Sequence, residues 1–157
     1  MPRFLLLGVI LLNLSLLGFS QRVLQPVKVF VSSAGNDSIG SQFTDALRKE
    51  IGTSKAYTLA SQRLEFYGLA YSHLAIAIAS LPVDDRPESH MRSAVSVVAQ
   101  TNASKQCPEG RLISHMVVMV GASNTTLAAR KVLQTIQARL ARAREEDGES
   151  TTPVASK

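Results

Sequence analysis

The sequence predicts a two-layer α+β sandwich: a mixed, mostly antiparallel sheet of about five strands with two amphipathic helices on one face. Three observations predict it. The run "SHLAIAIASLP", residues 72–82, alternates large and small aliphatic side chains with a period of two. Two other segments, around residue 45 and around residue 134, repeat their apolar residues at three- and four-residue steps. The links between the last three strand-like runs are short, which suits an antiparallel meander. The element order that follows is β-α-β-β-β-β-α.

Val27–Val31 is a compact β-rich run, approached through "QRVLQP" and its Pro26. A loop of small and polar residues leads into a helix whose Ile39, Phe43, Ala46, Leu47 and Ile51 share one face. Asp45, Arg48, Lys49 and Glu50 turn outward, and Gly52 is expected to end the helix. "AYTLAS", residues 56–61, reads as a second strand, and "QRLEFYGLAY" as an ambiguous link with a helical turn before Gly68. In the third strand Leu74, Ile76 and Ile78 point one way, and Ala75, Ala77 and Ala79 the other. Small side chains on one side predict something packed closely against them. "VDDRPESH" is a charged turn, and "MRSAVSVVAQT" and "RLISHMVVMVGAS" are two further strands. The final helix, Thr125–Ala143, carries the stripe Ala129, Val132, Leu133, Ile136, Leu140 and Ala143. Ser123 or Asn124 is expected to cap it, and Arg139, Arg142 and Arg144 gather near its carboxyl end. Residues 145–157 read as a disordered polar tail.

The first twenty residues have the layout of a signal peptide. Arg3 gives a positive start, Phe4–Phe19 is apolar apart from Asn13 and Ser15, and Gly18 and Ser20 are small residues before a cut at Gln21. Cleavage near Ser20 would leave one domain, residues 21–144, in the periplasm or outside the cell. The alternative is an uncleaved anchor, although the apolar stretch falls short of the roughly 20 residues that span a bilayer. No cysteine lies near the cut, so lipid modification is not expected.

Composition narrows the function. Hydrophobic residues make up 45% of the 157, but aromatics only 5% and there is no Trp. Stacking sites for sugars or single-stranded nucleic acid are therefore disfavoured. The net charge of +5, or +4 without Arg3, is spread along the chain. That suits weak contact with an anionic membrane surface rather than nucleic-acid binding. Cys107 is the single cysteine, so no internal disulfide forms; it reads as an inert loop residue, with an intermolecular bond as the alternative. Asn36, Asn102 and Asn124 each begin an N-x-S/T triplet, and we read them as structural.

The candidate chemical groups are fragments. Gly35 and Gly40 match half of a phosphate-loop pattern, but Ser41 stands where the lysine belongs. The 35–41 loop therefore reads as a βα connection, with small-anion binding as the alternative. His73, His90 and His115, with Asp84, Asp85 and Glu88, raise a metal or hydrolase hypothesis, but their spacing matches no ligand signature. Ser32 and Ser33 end the first strand without a nucleophile elbow. No catalytic, cofactor or metal residue is assigned. The basic outer side of the last helix reads as a solvated face.

The strand–helix–strand start, "AYSHLAIAIASL" and the closing "MVVMVGASNTTLAARKVLQTI" together resemble a family of small bacterial envelope domains. That α/β domain is shared by the amino-terminal part of TolB, the curli secretion lipoprotein and the lipoprotein activators of penicillin-binding proteins. The resemblance covers most of residues 27–140 and rests on element order and texture. It implies a non-enzymatic adaptor that binds other envelope proteins, and it carries over no functional residue.

Overall fold

The structure, a computed structural model, describes residues 26–35, 37–62, 71–83, 91–101 and 110–147. The expected signal segment, Asn36, the link around Gly68, the acidic turn with Asp84, Asp85, Glu88 and His90, Asn102, Cys107 and residues 148–157 lie outside them.

Seven elements follow the expected order. They are β1 (Val27–Ala34), α1 (Ser38–Thr53), β2 (Tyr57–Leu59), β3 (His73–Pro82), β4 (Arg92–Thr101), β5 (Leu112–Gly121) and α2 (Thr125–Glu146). The sheet order is β2-β1-β3-β4-β5. β1 lies parallel to both β2 and β3, whereas β3, β4 and β5 form the antiparallel meander. α1 and α2 pack against each other and on the same side of the sheet. The fold is the α+β sandwich of the sequence reading.

The core sits between these layers. Val29, Leu74, Ile76, Val95 and Val97 rise from the sheet to meet Phe43, Leu47, Ile51, Val132 and Ile136, all nearly inaccessible to water. Each such side chain contributes about 1.5–3 kcal/mol on leaving water. The stripe expected on α2 is buried in full.

Several details differ from the sequence reading. β1 runs on to Ala34, because residues Ser32–Ala34 find partners in Ala77–Ala79 of β3. Gly52 does not end α1; it is the penultimate helical residue, and the chain leaves in extended form at Ser54, whose N–H donates to the Ile51 carbonyl. Asn124 stands at the N-cap of α2, as expected, but its side chain makes no capping bond, because its Oδ1 accepts from the Gly121 N–H at 2.8 Å. Glu145 and Glu146, expected in the polar tail, are helical, and Asp147 closes the helix. Arg111 holds them there. Its guanidinium donates to Asp147 Oδ1 at 2.8 Å, Glu146 Oε2 at 2.7 Å and Tyr71 Oη at 3.0 Å.

The largest difference concerns the Ala side of β3. Both helices lie on the Leu74–Ile76–Ile78 side, so among the described residues nothing covers Ala77 and Ala79, which are exposed. Among the described residues, that face of the sheet stays uncovered.

Candidate interaction site

The half phosphate-loop is built as a connection. Gly35 has φ +116°, and a Cβ there would stand 2.7 Å from the Ser80 carbonyl oxygen. A Cβ on Gly40 would fall 1.9 Å from Ser80 Oγ, so the glycine lets α1 press onto β3. Asp37 caps α1 from within the chain: its Oδ1 accepts from the Gly40 N–H at 2.7 Å and from Ser93 Oγ at 2.8 Å. Burial pushes this carboxyl up, but hydrogen bonds from Ser80, the Gly40 amide and Ser93 outweigh it and hold Asp37 below its ordinary value. An internal anion thus already occupies the helix start.

The histidines on the described residues do not meet. His73 lies at the start of β3, beside Lys28 of β1. His115 lies on β5, level with Val98 of β4 and through it with Ala77 of β3. Four residues along the strands and two strands across separate them by roughly 16 Å. Burial, then the Lys28 charge, lowers the His73 pKa, so the ring is neutral at physiological pH. Its Nδ1 pairs with Ser72 Oγ at 2.8 Å. No group of three His, Cys, Asp or Glu side chains converges among the described residues. Ser32 and Ser33 are exposed at the end of β1. The two buried tyrosines are poor proton donors: burial pushes Tyr57 up to about 12 against the Arg144 charge, and burial with Asp147 raises Tyr71.

The basic side of α2 is largely engaged. Arg130 grips Glu50 of α1 at 3.0 and 3.2 Å, Arg139 donates to Ser114 Oγ at 3.0 Å, and Arg144 to the Tyr71 carbonyl at 2.9 Å.

The feature that remains is the β5 border. β5 pairs with β4 alone, and no other described strand lies along its outer edge. Edge strands are usually blunted by Lys, Pro or brevity. β5 has ten residues, "LISHMVVMVG", with no Pro and no Lys, Arg, Asp or Glu. One register irregularity sits near its start, where Ile113 is the extra residue between Leu112 and Ser114, and Ile113 and Ser114 are both buried. Beyond it the strand is regular to Gly121. Between β5 and α2 runs a groove of about 340 Å³, floored by Met116, Val118 and Val132 and walled by Leu127, Ala128 and Lys131. A second hollow of about 550 Å³ shares Met119 and Asn124 with it and reaches Arg92. Leu127 is 53% exposed and Met119 55%, unusual for such side chains beside an open strand edge.

Sequence reading flagged "RLISHMVVMVGAS" only as a strand. The one available signal was its lack of charge, which is that of a buried central strand. The sheet order, which makes it an edge, was not legible. No protein-family model matches the chain, and no curated protein is significantly similar to it. No described helix is long and apolar enough to cross a membrane.

Proposed function

We propose that this protein is a non-catalytic interaction domain of the cell envelope, exported by its amino-terminal segment, that captures an extended segment of a partner protein along β5. The observation that carries this reading is a ten-residue edge strand without Lys, Arg, Asp or Glu, beside a groove floored by Met116, Val118 and Val132. A strand added to β5 pairs its main chain with the open edge. Its alternate side chains enter the groove between Met116, Val118 and Leu127, while the others lie on the uncovered face of the sheet. Affinity then comes from backbone hydrogen bonds and specificity from the groove. Neither needs a sequence motif. The resemblance to envelope adaptor domains points the same way, and the mild positive charge suits residence beside anionic lipid.

The hydrolase or metal reading also draws on His90, Asp84 and Asp85, which lie outside the described residues; of its described members, His73 and His115 stand roughly 16 Å apart. The anion-binding reading would need a helix start free of Asp37, which the Asp37 cap does not leave.

The test is cross-linked affinity purification from the envelope fraction, comparing the wild type with Ala128→Phe, which fills the groove. The expected result is a protein recovered with the wild type and lost with the variant. In its presence, amide exchange should slow along residues 115–120. Equal recovery by both forms, no recovery after cross-linking, or unchanged exchange along β5 would overturn the proposal.

A further inference from the structure

The face of the sheet away from the helices has its own relief, independent of the β5 groove. Its trough is Ser32 and Ala34 on β1 and Ala77 and Ala79 on β3; its ridge is Val117 and Met119 on β5, 64% and 55% exposed. No described strand carries Asp or Glu, and the cationic side chains Lys28 and Arg92 stand at opposite ends of the sheet. Between Phe30 at one end and Leu81, 72% exposed, at the other, these two rows of the trough are low. This face suits close approach by another flat sheet, in which small side chains permit packing at or below the usual ~10 Å.

We infer that two copies of this chain pack face to face through these open sheets, related by a two-fold axis that runs along the strands between β3 and β4. The register supplies the argument. Ser32, Ala77, Val98 and His115 form one row across the sheet, and Ala34, Ala79, Ser96 and Val117 the row two residues on. This axis keeps each row at its height and exchanges β5 with β1 and β4 with β3. Val98 then lies over Ala77 of the second copy, Val117 over Ala34, and His115 over Ser32, whose hydroxyl can hydrogen-bond the imidazole. Large side chains meet small ones in both rows, the neighbouring row sets Phe30 over Leu112 at the rim, and each contact occurs twice, as a self-complementary surface requires. A two-fold axis across the strands instead sets the Lys28 end of one copy over the Arg92 end of the other. The size also fits. Four strands of eight to ten residues present roughly 19 by 30 Å, so the pair covers about 1,200 Å², the lower bound of a specific interface.

Sedimentation equilibrium against the intact mass of the same sample tests this. The wild type is expected to give a mass ratio of two. Ala77→Lys, which lies two strands in from the β5 edge, puts an unpaired charge at the interface centre and should weaken pairing by more than about 100-fold. Its ratio should fall to one with an unchanged circular dichroism spectrum. Ser32→Lys, at an exposed site, makes the same test if Ala77→Lys does not fold. A wild-type ratio of one at about 100 µM, a ratio of two retained in the folded variants, or wild-type binding to phosphatidylglycerol vesicles in place of pairing would each overturn the inference. Partner capture at β5 should survive in both variants, so the two proposals fail separately.

Discussion

Ile76 and Ala77 are neighbours in β3, yet they inhabit different environments. Ile76 is fully buried under the helices, while Ala77 stands exposed on the opposite face. A weaker form of the contrast runs across the sheet, with buried Val97 beside half-buried Val98 and half-buried Val118 beside exposed Val117. On the helix side, shape is decided within the chain by two helices that interlock with the strands. On the other side, small and apolar side chains stand among Lys28, Arg92, Gln100 and His115, and no described helix covers them. One face holds the packed core, and the other, with the β5 border, is left uncovered by the described residues.

Three measurements can break or sharpen this contrast. The largest effect is expected from Ile76→Ala, which empties part of a packed core and should cost about 2–5 kcal/mol in chemical denaturation. Ala77→Ser, one residue away, should stay within about 0.5 kcal/mol for the monomer. If the two cost the same, the faces are not what the structure describes.

Next comes Gly40→Ala, which drives a methyl group into Ser80 where α1 meets β3. It should destabilise by about 1–3 kcal/mol, partly recovered by Ser80→Gly. Gly52→Ala is the control on the same helix. Its new methyl meets only Leu59 Cδ1 at 3.7 Å, and it should stabilise by about 0.5–1 kcal/mol.

The smallest effect is expected at the end of the helix layer, where Arg111→Met removes the tie between β5 and the close of α2. Melting should drop by a few degrees at neutral pH. Hydrogen bonds from Arg111 and Arg142 hold Glu146 below the usual carboxylate range, and those from Tyr71 and Arg111 do the same for Asp147. A lowered folded-state pKa contributes stability at and above the ordinary value and loses it as pH falls through the lowered one. The difference in melting temperature between wild type and variant should therefore be constant near neutrality and shrink below about pH 4. A gap that instead widens in acid would show that the tie is not ionic.

Much of this architecture was legible in the chain because it rests on local periodicity. The stripe from Ala129 to Ala143 is a helix face whatever it packs on, and Leu74-x-Ile76-x-Ile78 is a strand face by the same logic. Where the sequence reading erred, a distant partner had intervened. Gly52 looked like a stop, but burial of Ile51 and the turn at Ser54 decide where α1 ends. Glu146 looked like tail, but Arg111, 35 residues earlier, draws it into the helix. Asn124 does hold the cap position, but the preceding turn takes its side-chain oxygen. The site was the least legible part, because an uncharged strand reads the same whether it lies in the middle of a sheet or at its border.

The order of residues by itself determined which segments are helix and strand and which side of each is apolar, since those follow from side-chain direction along a single element. Tertiary structure alone decided that β1 lies between β2 and β3, that β5 is left at the border, and that both helices choose the same face. Those outcomes depend on pairing and packing between segments far apart in the chain, which no single element's side-chain pattern records.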